Sequence, residues 1–265
     1  MTTTTPISPL SVVDALRGDR ARRPPADTSS AAGLRAELED GIYEILGAET
    51  LVVPITVRAA SLRQSSRSTD LSQSPTGLLR GVLVSQLLRL LTVGVTVEHA
   101  FDDAVAAWRG EVEAGNLLAY LNQLDGDERA RLATDVTAHA VTLTRAMGEV
   151  PRRWMPRTGV RATQRLAAGR VVLRDVIDLI VGSTVGDVAS VVLFDVTTSP
   201  LGEGAERALR YHALVQTLRT SIVPLRTAMF STATGELWMR DVDHELLGRS
   251  VREVLSAVRD QWVLR

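Results

Sequence analysis

Apolar residues recur along this chain at two different spacings, and the spacing changes once, near residue 156. Before that point the interval is three to four, which puts apolar side chains on one face of a helix. Leu34, Leu38, Ile42 and Ile45 predict a helix over 30–46, with Gly47 as its stop. A strongly apolar helix is expected over 78–91. Another is expected over 97–113, with Ala100, Ala104, Ala107 and Trp108 on its packed face, and a short one over 117–124. Asp125-Gly126-Asp127-Glu128 opens a long helix to about Met147, its acids suiting the positive N-terminal end, and Gly148 and Pro151 close it. Residues 50–57 interrupt this series as a β-branched strand edged by Pro54, and the Ser/Gln/Arg-rich stretch 61–76 reads as a surface loop.

After Pro156 the apolar positions alternate. Residues 160–166, 170–181 and 188–197 read as strands joined around Ala168-Gly169 and 182–186, an antiparallel meander. A helix over 203–220 follows, then apolar strands over 223–232 and 235–242. A last helix over 244–262 carries Leu247, Val251, Val254, Leu255, Val258 and Trp262 on one face. The expected fold is α/β, a mixed central sheet flanked by helices. Residues 1–30 read as a flexible N-terminal arm with a short helix near 11–16. Residues 31–150 form a mostly helical portion and 151–265 the sheet-bearing core, the last two making one unit.

Composition narrows the chemistry. The chain has no cysteine, which excludes disulfides, cysteine-ligated zinc and iron–sulfur clusters. The formal net charge of -1 argues against a general polyanion binder. The distribution is uneven: residues 1–150 hold 14 Arg against 19 acids, and 151–265 hold 16 Arg against 12. The basic bias therefore falls on the sheet-bearing half. No apolar run reaches the ~20 residues of a membrane span. The Thr-rich start lacks the pattern of a signal peptide, so the expectation is a cytoplasmic protein with no membrane partner. All 30 basic residues are arginine.

Candidate chemistry centres on carboxylates set in apolar runs. Asp178 lies in Asp175-Val-Ile-Asp178-Leu-Ile-Val, and Asp195 ends Val191-Val-Leu-Phe194. Such acids are costly to bury without a partner or a metal. Asp175 and Asp178 are three apart on a strand and should point to opposite faces, so one of them shares a side with Asp195. Two carboxylates on neighbouring strands can hold Mg²⁺ or Mn²⁺, which would activate water against a phosphodiester. Equally, each acid serves as a strand-end turn former or an ion-pair partner. His212, on the helix over the sheet, is a candidate catalytic acid or base, or a packing residue. Arg152, Arg153 and Arg157 around Trp154 suit phosphate contact with base stacking, or a linker whose indole packs inward. His99, His139 and His244 show no ligand spacing. No phosphate loop and no nucleophile elbow occur. Asp241 and Asp243 suit turn and cap roles.

Residues 160–258 resemble the nuclease domain of the RecB-type exonucleases and their CRISPR-adaptation relatives, within the PD-(D/E)xK superfamily. Asp178 matches the family's hairpin Asp, and Asp195 the acid of its second motif. Tyr211, in Leu209-Arg-Tyr-His-Ala-Leu214, matches the helix Tyr. Pro224 to Phe230 match the following strand, and Gly235-Glu236 the turn after it. Leu79-Arg-Gly-Val-Leu-Val-Ser-Gln-Leu-Leu88 resembles the early helix. The resemblance implies a restriction-endonuclease-like fold, metal at Asp178 and Asp195, and a DNA partner in DNA processing or defence. Three functional positions depart from the pattern: Ser85 stands for a metal-binding His, Thr197 for the catalytic Lys, and Arg207 for a Gln. Arg174 replaces the hairpin Gly. Arginine is a poor proton acceptor but a good phosphate clamp, so Arg174, Arg207 and Arg210 are candidate nucleic-acid contacts, together with Tyr211. The expectation is a nuclease-like frame with weak or no phosphodiesterase activity. The rivals are a non-catalytic scaffold that binds a partner protein through its apolar helices, and an active metal-dependent nuclease with a rebuilt site in which His212 or an Arg takes part of the lysine's role.

Overall fold

A mixed six-stranded sheet, strand order β1-β3-β4-β5-β6 with β2 paired to β3, lies between two helical layers in the computed structural model. The structure describes residues 11–17, 23–47, 49, 51–63, 74–109 and 115–264. The strands are β1 (Ile55–Arg58), β2 (Arg157–Leu166), β3 (Val171–Val181), β4 (Val192–Thr197), β5 (Arg226–Ser231) and β6 (Leu237–Asp241). The helices are α1 (Val12–Arg17), α2 (Ser30–Leu46), α3 (Ala59–Arg63), α4 (Pro75–Thr92), α5 (Ala100–Arg109), α6 (Gly115–Gln123), α7 (Gly126–Met147), α8 (Glu203–Thr220) and α9 (His244–Val263). The α/β class expected from the spacing is the class observed.

Each layer follows from one face of the pattern. One core joins α1, α4, α5, α6 and α7 to Leu179 and Val181 of β3, Val192, Phe194 and Val196 of β4, and Phe230 of β5. The other joins α2, α8 and α9 to Ile55 and Val57 of β1, Ala162 and Leu166 of β2, and Val171 and Leu173 of β3. Capping fixes several ends. Asp125 accepts from the Glu128 N–H at 2.7 Å while Glu128 accepts from the Asp125 N–H at 3.2 Å, a reciprocal cap for α7. Asp243 caps α9 through the Leu246 N–H at 2.7 Å, and Asp241 pairs with Arg226 at 2.6 Å.

Several boundaries differ from expectation. α4 starts at Pro75, because Ser74 caps it by accepting the Gly77 N–H and Pro suits a first helical turn. Residues 61–63, read as the start of a loop, belong to α3. The strand expected from residue 50 begins at Ile55; Val52 and Val53, ahead of Pro54, are exposed. The apolar face of α4 is spent on the core, with Leu79, Leu83, Val84, Leu87 and Leu88 fully buried, so it is not open to a partner protein. Of the expected arm, residues 1–10 and 18–22 lie outside the described residues. α1 docks Val12, Val13 and Leu16 into the core, and Pro25 bridges to Val188.

The feature that positions the site is an interruption along one edge of β3. β2 runs antiparallel along the other edge over the whole strand, from Leu166↔Val171 to Arg157↔Ile180. On the interrupted edge, parallel β1 pairs only as far as Arg58↔Arg174, and antiparallel β4 pairs only from Leu179↔Phe194. Residues 175–178 lie between, with no strand partner on that side. Opposite Asp178, Gly159 of β2 has φ +58° and is skipped in the pairing. The facing of β3 flips there: Val171 and Leu173 lie on the α8 side, while Leu179 and Val181 lie on the α4 side.

Candidate functional site: a carboxylate and imidazolium cluster

The gap in the β3 ladder is filled by side chains. The backbone N–H of Asp178 donates to Asp195 Oδ1 at 2.9 Å, and the N–H of Val196 donates to Asp178 Oδ2 at 3.0 Å. Each aspartate thus completes the hydrogen bonding of the other's strand where the ladder has ended. Asp178 and Asp195 do meet, as their places on neighbouring strands suggested.

His212 reaches down from α8 between two of the acids. Its Nδ1 lies 2.9 and 2.8 Å from the Asp175 carboxylate oxygens, and its Nε2 lies 2.7 Å from Asp195 Oδ2. The second contact is at ion-pair distance, but the ring N–H does not point along it. The three side chains are nearly closed to water, at 2% exposure for His212, 1% for Asp175 and 7% for Asp195. Asp175 and Asp178 were expected to point to opposite faces, with only one of them on the side of Asp195. They do point apart, but both join the cluster: Asp175 faces α8 and is the main hydrogen-bond partner of His212, while Asp178 reaches Asp195 along the interrupted strand edge.

The charges follow from this geometry. Burial alone would push His212 toward neutrality, but Asp175 and Asp195 reverse this and hold its pKa up to about 10, so it is an imidazolium at neutral pH. Burial opposes ionisation of Asp195 as well, yet the His212 charge, Arg63 and the Asp178 N–H leave its pKa below the usual value. Arg63, on α3, places Nη2 3.8 Å from Asp195 Oδ2. Asp178 goes the other way: burial and the Asp195 charge push it up to about 7, against hydrogen bonds from Val196 and Ser85. Ser85, on α4, therefore contacts the hairpin carboxylate at the position where the family resemblance implied a histidine.

The donor set fits a divalent cation poorly. A protonated imidazole is no ligand and competes as a cation for the same oxygens. Asp195 Oδ1 accepts the Asp178 N–H and its Oδ2 faces the His212 and Arg63 cations, while burial and the Asp195 charge disfavour the ionised form of Asp178. Among the described residues no group of three or more His, Asp or Glu side chains is arranged to hold a metal ion. Asp178 and Asp195 alone would be the protein ligands for the Mg²⁺ or Mn²⁺ that the resemblance implies.

The other expected contacts are scattered. Tyr211 is buried and donates to the carbonyls of Val57 at 2.8 Å and Arg174 at 3.0 Å, tying the end of β1 to β3. Arg207 pairs with Glu203, and Arg210 with Glu206 at 3.6 Å and Glu253 at 2.7 Å, so neither is poised for phosphate. Arg152 and Arg153 are exposed on a single 3-10 turn before β2. Arg153 and Trp154 line a cavity of about 400 Å³ with Val181 and Val192, at the far end of β3 from Arg174. Arg174 is exposed on the sheet. His139 bonds Thr232 at 2.9 Å, away from the cluster.

Fold and site together define an α/β protein with a carboxylate–imidazolium cluster buried at a break in its central sheet. No protein-family model matches the chain, and no curated protein matches it. Among solved structures, the crystal structure of SSO0001 aligns with 84% of this chain and 84% of its own, at 10% identity and a TM-score of 0.33. A likeness at that level carries no weight for fold or chemistry. Among the described residues no helix is long and apolar enough to cross a membrane.

Proposed function

We propose that this chain is a nucleic-acid-associated protein on a PD-(D/E)xK nuclease-like frame whose hydrolytic centre is closed by internal charge pairing. It acts in DNA processing or defence in the cytoplasm, by binding more than by cleavage. One observation carries the reading: His212 is clamped as a cation between Asp175 and Asp195, while Asp195 and Asp178 each bind the other's strand. The carboxylates that would polarise a metal-bound water serve here as structural acceptors. The usual lysine position is Thr197, and the cation beside Asp195 is an arginine, Arg63. The motif matches at Asp178, Asp195 and Tyr211, with Ser85 beside Asp178, support the nuclease-like frame. The basic bias of the second half supports the nucleic-acid partner.

The test is cleavage of linear, nicked and single-stranded DNA with Mn²⁺ or Mg²⁺. Wild type, Asp178→Ala and Asp195→Ala should all sit at the same background. Cleavage by wild type that disappears in both variants would overturn the reading and make the protein an active metal-dependent nuclease.

A further inference from the structure

The two faces of the β1–β3–β2 part of the sheet differ sharply. Ile55, Val57, Ala162, Leu166, Val171 and Leu173 point into the core under α8 and α9. The alternate positions on the opposite face are Thr56, Arg58, Arg161, Thr163, Arg165, Val172, Arg174 and Val176. Six of these face water: Arg58, Arg161, Thr163, Arg165, Arg174 and Val176, the valine at 54% exposure. Four arginines and no acid occupy the water-facing strand positions, and the next alternate position on β3 is the partly buried Asp178.

Register brings the four arginines together. Arg58 and Arg174 are direct partners on β1 and β3, and Arg174 is opposite Thr163 on β2. Arg161 and Arg165 flank Thr163 two residues either side, which puts them diagonal to Arg174 at roughly 7–8 Å. Arg174 therefore lies near or within one Debye length, about 8 Å at physiological salt, of each of the other three. Arg58, Arg165 and Arg174 form no ion pair with any described carboxylate. Arg207 and Arg249 on the helices and Arg226 on β5 each sit on a carboxylate. A solvated sheet face commonly mixes both signs of charge, as this chain does overall with 30 basic and 31 acidic residues. A face of one sign beside the carboxylate cluster calls for a polyanion.

We propose that this open sheet face, built from Arg58, Arg161, Arg165 and Arg174, is the track for the sugar–phosphate backbone of a nucleic acid strand. Guanidinium groups suit this because each presents a planar fork that matches phosphate oxygens two at a time. The site adds Arg58, Arg161 and Arg165 to Arg174 and removes Arg207 and Arg210 from the expected set. It rests on the nucleic-acid reading above but not on the state of the carboxylates.

The test is fluorescence anisotropy on the full chain, in EDTA, with a labelled single-stranded oligonucleotide and with its duplex, across a salt series. Changing all four arginines to Gln should weaken binding to at least one of the two at least tenfold. It should also reduce the salt slope by roughly three, at about 0.7–0.9 for each phosphate no longer neutralised. The four-fold Arg→Lys variant should keep most of the slope, because the charge remains. Arg207→Gln with Arg249→Gln, on the helices, should leave binding unchanged. These side chains are exposed, and an unchanged melting temperature checks that the Gln variant is folded. Unaltered affinity in a folded Gln variant, an equal loss in the helix control, or competition by polyglutamate as strong as by unlabelled DNA would overturn the site while leaving the broader reading in place. No binding of either oligonucleotide by wild type at low salt would overturn both.

Discussion

Replacing His212 with Gln removes the cation from between Asp175 and Asp195 while leaving a polar side chain of similar reach. Both carboxylates are nearly sealed from water, at 1% and 7% exposure, so solvent cannot take over the charge. Breaking a buried charge cluster in this way costs roughly 3–5 kcal/mol. The titration of His212 gives an independent size. Its pKa rises from the ordinary 6.5 to about 10, and at about 1.4 kcal/mol per unit that is roughly 5 kcal/mol, of the same order. The sign follows from the folded value being the higher one. The contribution is complete below about pH 6.5 and is lost as pH rises through about 10. Urea unfolding followed by circular dichroism should show His212→Gln less stable than wild type by several kcal/mol near pH 6, with the difference shrinking toward pH 10.5. A loss below about 1 kcal/mol near pH 6, or a gap that is the same at both pH values, would refute the imidazolium clamp.

Other expected outcomes are local. Ser85→Ala removes a hydrogen bond that favours the ionised Asp178, so the Asp178 carboxyl should titrate above its present value of about 7; carboxyl ¹³C shifts report this, and a fall would contradict the contact. The raised Asp178 value also means that this group stabilises the fold most below pH 4 and loses that contribution by about pH 7, so Asp178→Asn should flatten that part of the stability–pH curve. Gly182→Ala should cost about 2 kcal/mol or more in urea, because its φ is +93° and a Cβ would lie 2.1 Å from the Ser190 carbonyl oxygen. Asp125→Ala should cost about 1 kcal/mol by opening the α7 cap, and a neutral result would contradict the reciprocal hydrogen bonds.

The α/β class, the α8 and α9 spans and the meeting of Asp178 with Asp195 were legible in spacing, because buried strands and amphipathic helices leave strong periodic signals. That both Asp175 and Asp178 join the cluster was not legible, because counting by twos assumes an unbroken strand and allows only one of them beside Asp195. The facing of β3 changes at Asp178, and the one sign of that in the sequence is Gly159 inside the partner strand, where a glycine marks an irregularity. Arg63 was missed because α3 is five residues long, too short to show a period. Arg207 and Arg210 could have been set aside earlier: Glu203 and Glu206 each lie four residues before them, the spacing at which opposite charges pair on a helix. The arginine face needed register, since Arg58 lies more than 100 residues from Arg161, Arg165 and Arg174 in the chain.

The protonation of His212 is the hinge of the closed centre, and ring ¹⁵N shifts of a histidine-labelled sample at about pH 8 read it directly. That pH lies between the ordinary value of 6.5 and the shifted value of about 10. Both ring nitrogens should carry protons there, keeping Asp175 and Asp195 paired to a cation. A neutral ring at that pH would contradict the clamp and return Asp195 to the set of available metal ligands.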